Sequence, residues 1–137
     1  MDTHEWIEGS DEVPSPASGL RLAAPDLARI GQIIVQGGAW QGKQIVPGDW
    51  LDASFTRHAD LNGMHYGLHW YLASDGDLPR WMSGFGNGGQ RLTVQPKYDL
   101  VFVILAGNYN EPDAWKLGVR LIEGFLVPAL RWKIDAD

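Results

Sequence analysis

The stretch "GFGNGGQRLTVQP", residues 84–96, contains a G-x-G-x-x-G in Gly84, Gly86 and Gly89. In a dinucleotide fold this spacing brings backbone N–H groups and a helix N-terminus onto a pyrophosphate. A strand must precede the glycines, a helix must follow them, and an acid lies about 20 residues further on. Here Gly89 leads into "QRLTVQP", where Leu92 and Val94 fall on one side and Arg91, Thr93 and Gln95 on the other. That is a strand period of two, ended by Pro96. The next acid, Asp99, is too close, so the phosphate reading fails on its context. Two readings of the glycines stay open. They let an acyl or peptide-like group approach the main chain of a strand closely, or they form a plain hairpin turn.

The other chemistry-bearing residues are weaker candidates. Ser83 is the serine nearest the glycines, but Trp81 stands where a nucleophile elbow needs Gly. None of Ser10, Ser15, Ser18, Ser54, Ser74 or Ser83 has Lys three residues later, so no Ser-x-x-Lys nucleophile is present. His65 and His69 are four apart in a strand-like segment, which would separate them by about 13 Å of backbone rise. With no third ligand in the pattern, ordinary surface histidines outweigh a metal site. The acid pairs Asp11–Glu12, Asp75–Asp77 and Glu111–Asp113 stand beside Gly or Pro, where turn chemistry accounts for them. No cofactor or metal is expected.

Length and composition bound the rest. A chain of 137 residues with 45% hydrophobic and 20% charged residues has globular composition, and a domain of this size buries roughly two thirds of its unfolded surface. The net charge is −6, with Arg21, Arg29, Lys43, Arg57, Arg80 and Arg91 scattered singly. That disfavours a nucleic-acid partner, whose affinity rests on neutralised phosphates. No cysteine is present, which excludes disulfides, thiolate zinc and cysteine catalysis, and fits cytoplasm and periplasm alike. No apolar run approaches the roughly 20 residues of a membrane span, and the acidic start lacks the pattern of a signal peptide. A soluble chain without a membrane partner is expected. The seven tryptophans suit a core and its rims, with a ligand-stacking surface as the alternative.

The elements that must position these residues follow from periodicity. The chain reads as one partial domain. Residues 1–18 form a loop-rich lead-in, as of a chain entered mid-fold; 19–60 are a helical segment; 61–110 are antiparallel strands; 111–134 are a C-terminal helix. The first helix has Pro25 and Asp26 in its opening turn and Leu27, Ile30, Ile33 and Ile34 on one face, and Gly37 and Gly38 end it. Gly42 marks a turn, and a short helix carries Trp50, Leu51 and Phe55. "MHYGLHWYLAS" reads as one strand with Tyr66, Leu68, Trp70 and Leu72 on a face. "LVFVILAG" reads as a central strand covered on both sides. Trp115, Val119, Ile122, Leu126 and Leu130 have helical spacing, with Pro128 bending or ending that helix. Three or four strands joined by short turns must be antiparallel. The fold class is therefore α+β, an antiparallel sheet flanked by helices.

Three blocks in order, "SGLRLAAPDLARIGQIIVQGGAWQGKQIVPGDWL", "YGLHWYL" and "GFGNGGQRLTVQPKYDLVFVILAGNYN", resemble the C-terminal part of serine hydrolases of the class C β-lactamase type. That group includes penicillin-binding-protein-like esterases and 6-aminohexanoate-dimer hydrolases, and the resemblance runs from about Trp6 to Leu130. It implies the C-terminal portion of a β-lactamase/transpeptidase-like fold. It also implies a parent that cleaves an amide or ester through a serine acyl-enzyme. In that family the nucleophile and its lysine lie in Ser-x-x-Lys, a Tyr-x-Asn follows, and a Lys-Thr-Gly or His-x-Gly element lies on a strand. Only the last has a counterpart here, with Asn87, Gly88 and Gly89 in its positions. By the resemblance these bind substrate, Asn87 replaces a cation that receives a substrate carboxylate, and the Gln90 N–H is one of two oxyanion-hole donors.

Neither Tyr71 nor Tyr109 begins a Tyr-x-Asn. The resemblance therefore implies half of an active site, inactive alone, whose partners are a small acyl, amide or ester substrate and the N-terminal half of the same fold. The alternative is a non-catalytic binding or assembly module that uses its tryptophans and an exposed sheet edge. Such an edge also invites homo-oligomers.

Overall fold

The structure, a computed structural model, describes residues 4–15, 18–73 and 81–136. The turn expected over "SDGDLP", with Ser74, Asp75 and Asp77, and the cation Arg80 lie outside the described residues. The lead-in is tied down by a small antiparallel pair, β1 (Glu5–Trp6) and β2 (Leu20–Arg21). Helix α1 (Ala24–Val35) starts as its sequence suggests: Pro25 occupies the first turn, where no N–H partner is needed, and Asp26 sits at the positive end of the dipole. A tight hairpin, β3 (Ala39–Trp40) and β4 (Lys43–Gln44), follows. Helix α2 (Gly48–Ser54) then turns Leu51 and the adjacent Phe55 toward the core and leaves Trp50 exposed.

Among the described residues six strands make the main sheet: β5 (Ala59–Leu61), β6 (Met64–Tyr66), β7 (Tyr71–Ala73), β8 (Trp81–Phe85), β9 (Arg91–Gln95) and β10 (Leu100–Ile104). The spatial order runs β10-β9-β8-β7-β6-β5, all antiparallel, so every strand lies beside its sequence neighbour. The chain closes with α3 (Ala114–Leu121), a π-helical turn over Ile122–Leu126, and α4 (Val127–Ala136).

Register assigns the two faces. Met82 lies opposite Val94, and Val94 opposite Val101; Leu92 lies opposite Val103. With Leu72 these side chains form the face on which α1 lays Leu27, Ile30 and Ile34. The other face carries Trp81, Leu100 and Phe102, packed against Ile122, Leu126, Val127 and Leu130 of the C-terminal helical segment. Ser83 and Thr93 are buried on this second face and satisfy each other at 2.8 Å between their hydroxyls. The fully buried Gln95 accepts from Lys97 N–H at 2.8 Å. A polar alternation on a strand therefore marks a second packed layer here, not solvent.

Four expectations are corrected. "MHYGLHWYLAS" is not one strand: β6 and β7 fold back on each other, Tyr66 opposite Tyr71. The reversal holds because Gly67 N–H bonds Trp70 O at 2.8 Å and His69 adopts a left-handed φ of 63°. A turn that keeps the apolar alternation in step across it reads as a continuous strand. The "LVFVILAG" strand, β10, is covered on both faces as expected but stands at the sheet's edge among the described residues. An apolar run reports cover above and below a strand, and says nothing of its lateral neighbours. The main sheet has six strands, where three or four were expected, since β5 to β7 are only three residues each. Finally, Pro128, expected to bend or end the helix, does not end it. Its missing N–H and its ring are accommodated by the π turn just before it, where Val127 N–H reaches back to Ile122 O.

Gly67 packs where no side chain fits: a Cβ there would lie 2.0 Å from the backbone O of Ser54. Gly124, in the π turn, has nothing within 4 Å of the same position. Gly67→Ala is therefore expected to lower stability by about 1–3 kcal/mol through overpacking, whereas Gly124→Ala leaves it unchanged or slightly higher. Urea midpoints of the two variants check this pair.

Candidate active site

β8 and β9 are joined by the glycine turn. Gly86 N–H bonds Gln90 O at 2.9 Å and Gly89 N–H bonds Gly86 O at 3.3 Å. Gly88 and Gly89 have φ of 88° and 92°, in the left-handed region that glycine adopts freely. They are also pressed from behind. A Cβ at Gly88 would lie 2.9 Å from the Tyr109 ring, and one at Gly89 would lie 2.7 Å from the Ala114 carbonyl oxygen. A strand, not a helix, follows them, so the phosphate cradle is absent and the hairpin-turn reading holds.

The segment after β10 clasps this turn. Asn87 Nδ2 donates to Asn110 Oδ1 at 3.2 Å, and Asn110 N–H donates to Asn87 Oδ1 at 3.2 Å. Asn108 N–H bonds Gly88 O at 3.1 Å, and Gln90 Nε2 bonds Ala106 O at 2.7 Å. The turn is thereby stiffened without help from its own side of the sheet. Asn87 keeps one amide hydrogen and one lone pair for another partner.

Beside the turn lies an open cleft of about 890 Å³. Asn87 and Gln90 line it, while Gly88 and Gly89 do not. The β1–β2 pair contributes Trp6, Leu20 and Arg21 to the lining, and the segment after β10 contributes Leu105 and Tyr109. Trp6 Nε1 donates to Ser15 O at 2.8 Å, and Arg21 is ion-paired with Glu5 at 2.9 Å. Spacing alone singled out none of Trp6, Arg21 or Tyr109. The high tryptophan count, which favours rims where an apolar body meets water, was a signal for Trp6; Arg21 and Tyr109 had none.

The remaining candidates lie elsewhere. Ser83 is buried in the sheet and hydrogen-bonded to Thr93, out of reach of the cleft. His65 Nδ1 meets Asp60 Oδ1 at 2.8 Å, whereas His69 sits in the reversal. Among the described residues no three such groups gather as a metal site. Hydrogen bonds from His65 and Arg57 hold the exposed Asp60 below the usual carboxylate range. Asp11 accepts from Val13 N–H within its turn, and Asp113 pairs with Lys116 on the surface.

Arg91, the residue after Gln90, has an unusual setting. Its guanidinium carbon lies 4.4 Å from the centroid of the Phe85 ring, and its Nε donates to Thr93 Oγ1 at 3.1 Å. Its Nη1 is buried without a hydrogen-bond partner among the described residues. Gly118 of α3 makes room for it. Burial lowers the Arg91 pKa to about 10, with the charge of Glu123 acting in the opposite direction.

No protein-family model matches the chain. Solved structures share its fold. A protein from Bacillus anthracis named as a 6-aminohexanoate-dimer hydrolase superposes over 92% of this chain with a TM-score of 0.74 and 21% identity. A penicillin-binding protein homologue from Caulobacter crescentus covers 77% with a TM-score of 0.62 and 16% identity. The chain spans 34% and 33% of those proteins, about a third of their length. At this identity the likeness is one of fold. The chain is α+β, with the architecture of the C-terminal portion of a β-lactamase/transpeptidase-like fold.

The buried cation yields a prediction. Because burial holds the folded pKa of Arg91 below the usual guanidinium range, the fold disfavours the charged form. The penalty is full below about pH 10 and fades as pH rises through the folded value. Arg91→Met, which keeps the bulk and removes the charge, is expected to raise the thermal midpoint at neutral pH and to raise it less above pH 10. Scanning calorimetry at the two pH values reads the difference.

Proposed function

We propose that this chain supplies the substrate-facing sheet of a β-lactamase-like serine hydrolase that cleaves an amide or ester. The Ser-x-x-Lys nucleophile and the Tyr-x-Asn would be contributed by an N-terminal half of the same fold. One observation carries the reading: the clasped glycine turn puts Asn87 and Gln90 on the wall of the 890 Å³ cleft, in a fold shared with proteins named as a 6-aminohexanoate-dimer hydrolase and a penicillin-binding protein homologue.

In this reading the Gln90 N–H polarises the scissile carbonyl. The turn's own hydrogen bonds run from Gly86 and Gly89 N–H and leave that donor out. A backbone donor aimed at a developing oxyanion is worth about 10²–10³ in rate, but it generates no nucleophile. The chain alone is therefore inactive. Asn87 uses its remaining amide hydrogen to orient the substrate, and Gly88 and Gly89 serve by holding the turn. The clasp to Asn110 removes the cost of ordering that donor when substrate arrives.

A second reading, an assembly module, is favoured by the edge of β10, unpaired among the described residues, which carries no charge and no proline to discourage pairing. The two differ in solution behaviour. Association through the β10 edge that persists when the chain is joined to an N-terminal half, without hydrolysis, accords with the module, whereas a joined protein that is monomeric and hydrolyses an ester accords with the hydrolase.

Joined to an N-terminal half carrying Ser-x-x-Lys, the chain is expected to hydrolyse a p-nitrophenyl ester. Asn87→Ala should then reduce kcat/KM about tenfold, the value of one lost hydrogen bond. Unchanged hydrolysis in Asn87→Ala removes Asn87 from the reaction. No hydrolysis by the joined protein removes the hydrolase reading itself.

A further inference from the structure

We infer that Asn62 is a modification site, where the side-chain amide hydrolyses spontaneously to a carboxylate, and that the clasp on Asn87 guards the glycine turn against the same chemistry. The inference goes beyond the hydrolase reading and does not rest on it. The chain has four asparagines, Asn62, Asn87, Asn108 and Asn110, and only Asn62 and Asn87 precede glycine. A following glycine has no Cβ to shield its backbone nitrogen, which can therefore reach the asparagine Cγ. That nitrogen, having given its proton to a solvent base, bonds to Cγ, while the side-chain nitrogen takes a proton from solvent and leaves as ammonia. Water then opens the five-membered imide at either carbonyl and leaves aspartate or isoaspartate. Water is the one co-reactant, and nothing is oxidised or reduced.

The two dipeptides share this chemistry and differ in what surrounds them. Leu61 lies opposite Met64, so Asn62 and Gly63 are the whole connection between β5 and β6, with left-handed φ of 53° and 80°. Both are exposed, and a Cβ at Gly63 would meet nothing within 4 Å. Among the described residues no hydrogen bond holds the Asn62 carboxamide. β5 and β6 are three residues each, every residue of β5 is exposed, and β5 ends the sheet among the described residues. So short an edge hairpin opens locally at little cost, and opening frees the backbone for the attack.

Asn87 is held where Asn62 is free. Its Nδ2 donates to Asn110 Oδ1 and its Oδ1 accepts from Asn110 N–H, both at 3.2 Å. Gly88 is buried against the Tyr109 ring, and its carbonyl accepts from Asn108 N–H at 3.1 Å. To be attacked, the carboxamide must leave Asn110 and the turn must shift beneath Tyr109. Conversion would also undo the clasp, because a carboxylate at position 87 would set an oxygen against Asn110 Oδ1 where Nδ2 now donates. At position 62 aspartate still suits the two-residue turn, whereas isoaspartate adds a main-chain carbon to it and loosens β5.

Incubating the intact chain in mildly alkaline buffer, folded and in urea, tests the assignment, with peptide mass spectrometry reading the exchange of amide for acid at each position. In urea the two asparagines are expected to convert at similar rates, since glycine follows both. In the folded chain Asn62 should convert at least about tenfold faster than Asn87, the value of a held hydrogen bond. Asn110 has a φ of 63°, which glycine adopts freely. Asn110→Gly therefore removes the Oδ1 acceptor without strain, and should speed Asn87 up to about tenfold while leaving Asn62 unchanged. Asn110→Asp keeps an acceptor for Nδ2 and should keep Asn87 protected.

Conversion at Asn87 as fast as at Asn62 in the folded chain, or an Asn62 that stays intact while the chain in urea converts, overturns the modification site. An Asn87 rate that Asn110→Gly leaves unchanged overturns the clasp as its guard. Neither result bears on hydrolysis by the joined protein, so this inference and the hydrolase reading fail separately.

Discussion

The strand Arg91–Gln95 is sealed on both faces, and the rest of the chain is arranged around that constraint. Leu92 and Val94 face α1, while Thr93 and Gln95 are buried toward the C-terminal helical segment. A strand flanked by two helical layers must also be flanked by two strands, because its backbone groups can reach no water. β8 and β10 provide them through antiparallel ladders. The turns at the two ends of β9 then fall at opposite ends of the sheet, and the glycine turn is one of them.

Sealing β9 explains why the candidate site is stiff. The turn cannot shift without disturbing a ladder that is dry on both sides, and its outer surface is closed by Tyr109, Asn110 and the carbonyl of Ala114. The same sealing creates the one electrostatic debt of the region. Arg91 begins the strand and carries its charge under α3, with Nη1 left without a partner among the described residues. Tyr66, Tyr71 and Phe85 stack edge to face beside it, with ring centroids 5.0 and 4.7 Å apart. The Phe85 face meets the guanidinium, so its π cloud offsets part of the lost hydration.

The edge of the sheet is the complementary problem. β10 is covered above and below but unpaired along one side among the described residues. Neither its residues, Leu100 to Ile104, nor Leu105 to Asn110 after it carries a charge that would discourage a further strand. The chain spans about a third of the solved proteins that share its fold. An open edge and an open cleft thus stand on the same chain as a core sealed on both faces.

The sequence by itself determined the local elements whose cause is local. Pro25 and Asp26 start α1, the alternation of Arg91 to Gln95 makes a strand, and the two adjacent glycines make a turn, because each effect acts within a few residues. It also determined the α+β class and, through three ordered blocks, the fold. Only the tertiary structure decided what lies across from what. It split "MHYGLHWYLAS" at Gly67, since the Ser54 carbonyl that forbids a side chain there comes from α2. It moved an apolar strand from centre to edge, and it turned a polar alternation into a buried face by laying a helix over it. It brought Trp6 and Leu20 to one cleft with Leu105 and Tyr109, from opposite ends of the described chain. Periodicity reports what faces a residue's own element, whereas a site is made by residues that no period connects.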